Sequence, residues 1–298
     1  MKYVIEPIAQ DNNRCGEAPI WDPQTARLIW VDHPSNLVYD FTPATRQKRI
    51  ISRGLMAAGI ALTDTDALIF AGSTGLHLWR RQDDYRTIAA DYEGEPFFFN
   101  DIIADPQGRL YAGTLYWNEN GMEKYGKLYL FDTDGSVRIA DDGIELANGL
   151  GFSPDARTLY FADSSARRIY AYDVDPVTGA LSRKRTFVQV PGDEGIPDGL
   201  TVDREGFVWS AQWYGSQIVR YDPDGKVERR IPLPAQQVSS LMFGGSDWTD
   251  IYVTTAGESW RGPYAPPNYN FDAPNIGGAL YRVRQEIAGR PEYRARLK

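Results

Sequence analysis

Four short stretches of this 298-residue chain carry oxygen-bearing side chains in matching places. Glu17 lies in Gly16-Glu17-Ala18-Pro19-Ile20-Trp21, and Asn100-Asp101 precedes Ile102-Ile103-Ala104-Asp105. Asn148-Gly149-Leu150 precedes Gly151-Phe152-Ser153-Pro154, and Asp198-Gly199-Leu200 precedes Thr201-Val202-Asp203. Each stands four or five residues before a polar turn. Taken singly, such residues cap turns and bond to their own hairpin. Brought together, two carboxylates and two amide oxygens form an all-oxygen set that suits Ca²⁺, Mg²⁺ or Mn²⁺, whereas structural zinc prefers Cys and His. Carboxylates buried without a cation carry a desolvation cost of several kcal/mol each, so their convergence argues for an ion. Asp101, Asp105 and Asp203 read differently, as carboxylates that tie turns between strands.

Convergence requires a closed repeat, and the chain has one. Trp21-Asp22-Pro23 leads to Leu28-Ile29-Trp30-Val31-Asp32, and Asp105-Pro106-Gln107-Gly108 leads to Leu110-Tyr111-Ala112-Gly113. Ser153-Pro154-Asp155 leads to Leu159-Tyr160-Phe161, and Asp203-Arg204-Glu205-Gly206 to Phe207-Val208-Trp209. Weaker copies join Leu62 to Leu68 and Gly244 to Ile251. Six such hairpins about 40 to 50 residues apart predict an all-β, six-bladed β-propeller with four antiparallel strands per blade. Residues 1–298 are read as one domain, the strand Gly278–Arg282 pairing with the amino-terminal strand around Val4 and Ile5 to close the ring. No window holds a sustained helical period. The stretch from Glu258 to Ile276, rich in aromatics, Pro and Gly, reads equally as an ordered loop or lid packed over one face and as a mobile surface loop.

In such a ring, the starts of the innermost strands and the loops after second strands surround the channel mouth. Those loops offer Trp117, Trp213, Tyr214 and Trp260, which as a group suggest a pocket for a substrate with an apolar or aromatic part. His33, following Val31-Asp32, is placed to bind substrate or carry a proton. Cys15 has no second thiol or clear base nearby and is read as inert. Neither a Gly-x-Ser-x-Gly elbow nor a phosphate-binding loop occurs.

A net charge of −8 argues against a nucleic-acid partner, and no stretch approaches the ~20 apolar residues of a membrane span. A lone cysteine fits a reducing compartment. The expectation is a soluble, cytoplasmic protein acting on a small molecule, as a monomer or weak homo-oligomer.

The stretches 16–21, 100–114, 148–155 and 197–206 together resemble the senescence-marker-protein/gluconolactonase/luciferin-regenerating-enzyme family, to which regucalcin and bacterial sugar lactonases belong. The resemblance runs from about residue 12 to the Gly278–Arg282 strand. It implies a propeller that hydrolyses lactones with one divalent cation, whether Ca²⁺, Zn²⁺, Mn²⁺ or Mg²⁺. It further implies Glu17, Asn148 and Asp198 as metal ligands, Asp198 as general base, and Asn100 beside the metal as a substrate contact. Two positions depart from the family. Its substrate-binding Arg falls on Phe98, and its acidic substrate contact falls on Asn118, with Glu119 next to it. Both departures point to a lactone less polar than a simple aldonolactone. The same site could instead serve organophosphate hydrolysis or sugar-acid dehydration or isomerisation, or a structural ion in a non-catalytic binding propeller.

Overall fold

A computed structural model describes residues 3–10, 12–118, 121–267 and 269–297. They form six four-stranded antiparallel sheets arranged in a ring. The only helical turn among the described residues is a short 3-10 turn at His33–Ser35. Blade 1 begins with Gly16–Asp22 at the channel and ends with Gln47–Arg53 at the rim. The inner strands of blades 2 to 6 are Gly59–Leu62, Phe99–Ala104, Ala147–Phe152, Ile196–Val202 and Val238–Gly244. In blade 6 the outermost strand is Val4–Ala9, paired antiparallel to Leu280–Arg284 with Val4 opposite Arg284. The expected union of the two ends closes the ring.

Each blade buries both faces against its neighbours, so its middle strands read as unbroken apolar runs rather than alternating ones. Between blades 1 and 2, Ile20, Ile29 and Val31 meet Ile60, Leu62 and Phe70. Between blades 3 and 4, Tyr111 and Leu128 meet Phe152, Leu159 and Phe161. The closing junction has the same form: Trp21 of blade 1 stacks on Tyr252 of blade 6 with ring centres 5.7 Å apart.

Turns at the lower ends of the inner strands are held by buried carboxylates. Asp105 accepts the backbone N–H groups of Gln107 and Arg109, and the Arg109 guanidinium at 2.5 Å. Asp203 accepts Glu205 N, Phe207 N, the Trp209 indole at 2.8 Å and Arg220 Nε at 2.8 Å. Asp101 departs from this pattern. It accepts only the N–H of the adjacent Ile102 and faces the channel.

Beyond residue 284 the tail runs across the lower face and touches every blade. It bonds to Thr249 of blade 6, Arg204 of blade 5, Phe152 of blade 4 and Gly108 of blade 3. It also reaches Thr63 of blade 2 and Asp22 of blade 1 through Arg294. Glu292 and Tyr293 plug the channel from below.

Candidate active site

The upper mouth of the channel is shaped by an irregularity that recurs in the inner strands. Pairing with the second strand slips between Glu17 and Ile20, Phe99 and Ile102, Ala147 and Leu150, and Pro197 and Leu200. A fifth slip lies between Val238 and Ser240 in blade 6, whereas the inner strand of blade 2 pairs without a break. Such a bulge re-aims the side chain at the slip. At four of these places that side chain is Glu17, Asn100, Asn148 or Asp198, which all line one cavity of about 650 Å³.

Local chemistry supports the bulges. Ala18 is held at φ 45°, a left-handed conformation that an alanine adopts only at a cost. In blades 4 and 5 the corresponding residues are glycines, because adjacent inner strands nearly touch. A Cβ on Gly149 would stand 2.2 Å from Leu200 N, and one on Gly199 would stand 2.1 Å from Ser240 Oγ.

A chain of hydrogen bonds orients the amides. Asn100 Nδ2 donates to Ala147 O at 2.8 Å and to Asn148 Oδ1 at 3.0 Å. Asn148 Nδ2 donates to Ser164 Oγ at 2.9 Å, and Ser164 donates to Pro197 O at 2.6 Å. The Asn100 and Asn148 side-chain nitrogens are thereby engaged, and their oxygens remain as the acceptors.

The carboxylates have no such relief. Glu17 accepts only the N–H of Ala18, and burial followed by the charge of Asp101 pushes its pKa up to about 8. Burial, then Glu17 and Asp101, raise Asp198 well above the carboxylate range. Asp101 is raised to about 7, chiefly by burial, with Glu292 adding to it from below. A buried acid and a half-buried one with an amide oxygen beside them, and no cationic side chain at the floor among the described residues, form a donor set that fits a divalent cation.

The cavity wall is aromatic. Trp117, Trp213 and Trp260 line it, with Trp260 meeting Trp117 edge-on at 6.0 Å and Trp213 at 6.4 Å. Trp117 is fixed by its indole N–H donating to Glu145 O at 2.8 Å. The segment after Ala256 packs here as an ordered layer, where Trp260, Tyr264, Tyr269 and Phe271 rest against Ile196, Trp213 and Tyr214. His33 lines the cavity from its 3-10 turn, and burial lowers its pKa. Asn118 lines it from a short hairpin and donates to Glu123 at 2.6 Å. The expected contact at Glu119 lies outside the described residues.

Phe98, expected as a substrate contact, is not among the residues that line the cavity. Phe97 and Phe99 are 1% and 3% exposed in the core between blades 2 and 3, whereas Phe98, just before the strand Phe99–Ala104, is no part of that core. It is 45% exposed, meets the Tyr116 ring at 5.9 Å and does not line the cavity. A second cavity of about 710 Å³ lies around His77 between blades 1 and 2, away from the carboxylates.

With this geometry in view, the profile of the SMP-30/gluconolactonase/LRE-like region matches residues 15–257. The chain belongs to this family. A pentonolactonase of Haloferax volcanii is 36% identical over 295 residues, covering 99% of each chain. Human regucalcin is 31% identical, covering 85% of this chain and 86% of its own. Among solved structures, a luciferin-regenerating enzyme superposes with a TM-score of 0.90 at 26% identity, covering 99% of this chain and 100% of that one. A calcium-binding regucalcin of Agrobacterium tumefaciens gives 0.85 at 25% identity, covering 99% and 98%.

The structure adds Arg14, Glu258 and Ser164 to the cavity. Ser164 was within reach of the repeat, since it follows Asp163 as His33 follows Asp32. Arg14 and Glu258 carry no pairwise signal, because 244 positions separate them.

Proposed function

We propose that this protein is a lactonase-type ester hydrolase that works with one divalent cation at the channel mouth, on a lactone less polar than a simple aldonolactone. The observation that carries the reading is the joint placement of Glu17, Asn148 and Asp198 at the base of a tryptophan-walled cavity, in a chain of this family. Glu17, Asn148 and Asp198 would hold the cation, which supplies Lewis-acid polarisation of a lactone carbonyl. Their oxygens favour Ca²⁺, Mn²⁺ or Mg²⁺ over Zn²⁺. The regucalcin described as calcium-binding makes Ca²⁺ the first to try.

The protein's own groups divide the remaining work. Asn100 keeps Oδ1 free for a substrate hydroxyl while its nitrogen holds Asn148 in place. Asp198 takes a proton from the attacking water as the new carbon–oxygen bond forms, then returns it to the ring oxygen as the old bond breaks. One water is consumed and a hydroxy acid leaves. The tryptophans hold an apolar face of the substrate and keep other water away. With Phe98 outside the cavity lining, this wall is what supports a less polar guest.

Turnover of alkyl, aryl and sugar lactones followed by acid release, with and without chelator, tests the reading. Chelation is expected to stop hydrolysis, and Ca²⁺, Mn²⁺ or Mg²⁺ to restore it better than Zn²⁺. Asp198→Ala should lower kcat at least about a thousandfold while the fold persists. Full activity in chelator, or in this variant, would exclude the mechanism.

A further inference from the structure

We propose that Arg14 and Glu258 form the element that selects substrate, binding two neighbouring hydroxyls along one edge of the lactone ring. The inference deepens the lactonase reading and rests on it for the identity of the ring. Among the described residues, Arg14 is the one Lys or Arg that lines the cavity. Its Nε donates to Glu258 Oε1 at 2.8 Å and its Nη1 to Pro34 O at 3.2 Å. Two of its five N–H groups are thus used, which leaves three for a ligand on a side chain that lines the cavity and is 51% exposed. Glu258, 57% exposed, keeps Oε2 as an acceptor.

Stability does not account for this pair. An exposed ion pair contributes little, yet both backbones beneath it are pinned. Glu258 N donates to Arg14 O at 2.9 Å, Gly257 N donates to Asn13 O at 2.9 Å, and Glu258 O accepts Gln237 Nε2 at 2.5 Å. A guanidinium and a carboxylate are therefore held side by side over the cavity, at the end of an inner-strand approach that leads to Glu17. A donor beside an acceptor matches a vicinal diol, in which one hydroxyl accepts from Arg14 and its neighbour donates to Glu258. Elsewhere the wall offers Trp117, Trp213 and Trp260, which suit C–H faces. The substrate class is then a lactone with its hydroxyls gathered on one edge and an apolar face, which reconciles a sugar-like ring with an aromatic pocket.

The test compares wild type, Arg14→Ala, Arg14→Lys and Glu258→Gln on a vicinally hydroxylated lactone and on the unsubstituted lactone of equal ring size. Both Arg14→Ala and Glu258→Gln should raise KM for the hydroxylated lactone roughly ten- to a hundredfold with kcat nearly unchanged. Neither should alter kinetics on the unsubstituted ring, and Arg14→Lys should recover only part of the loss. Equal losses on both rings, or none on either, would overturn the proposal. Calorimetric titration with the corresponding hydroxylated lactam, which resists hydrolysis, supplies a second reading. If wild type opens no lactone, the lactonase reading fails. Lactam binding weakened by Arg14→Ala or Glu258→Gln still upholds the pair, and unchanged binding rejects it. Glu258→Gln preserves shape and decides the matter should Arg14→Ala not fold.

Discussion

Ala18 shows what a single residue contributes to the mouth. Its φ of 45° follows directly on Glu17, so the turn that aims this carboxylate is held in a conformation disfavoured by its own Cβ. Ala18→Gly is expected to stabilise the fold by about 1 kcal/mol, read from chemical denaturation, because glycine adopts that φ without penalty. Asp105→Ala should have the opposite effect. It leaves the Arg109 guanidinium, 3% exposed, without its carboxylate, and a loss of about 3–5 kcal/mol is expected in the same assay. The four mouth residues could be found in the sequence because a repeat converts equal spacing into equal height around a ring. Phe98 stands outside the cavity lining, which its position opposite a family arginine does not show. Phe97 and Phe99 are committed to the core, and the side chain between them is no part of it. Arg14 and Glu258 could not be paired in advance, since their meeting depends on how blade 6 returns to blade 1.

At the scale of elements, the mouth depends on how closely the inner strands approach. Gly199 faces Ser240 so tightly that a methyl group would lie 2.5 Å from Ser240 Cβ and 2.7 Å from its Cα. Gly199→Ala must therefore part blades 5 and 6 or rotate Asp198. The expected result is a loss of stability of about 1–3 kcal/mol together with a large fall in kcat; unchanged turnover would show that Asp198 tolerates the shift. The aromatic layer after Ala256 behaves as one body. Trp260 touches Trp117, Trp213, Tyr214 and Tyr264, and Tyr214 donates its hydroxyl to Trp260 O at 2.7 Å. Its composition left an ordered loop and a mobile one open, because the residues it packs on, Ile196 and Trp213, lie far away in the chain.

At the scale of the whole molecule, the channel is closed from below by a tail that carries an acid. Glu292 Oε2 is shielded and has no hydrogen-bond partner among the described residues, and burial raises this carboxyl above its ordinary value. The stability that goes with the neutral form is complete below the usual pKa near 4.3 and is lost as pH rises through the higher folded value. Glu292→Gln should thus melt above the parent at pH 8 and level with it at pH 4. A constant difference across that range would exclude linkage at this residue.

The pairing of Val4–Ala9 with Leu280–Arg284 also sets a timetable. On the ribosome Val4–Ala9 emerges long before its partner, which is made only after every other strand of the ring. Until then blade 6 has an unfilled place, the tail has not crossed the floor, and an early strand waits with unpaired backbone groups. The ring can be assembled blade by blade during synthesis, but blade 6 is completed only once Leu280–Arg284 has been made.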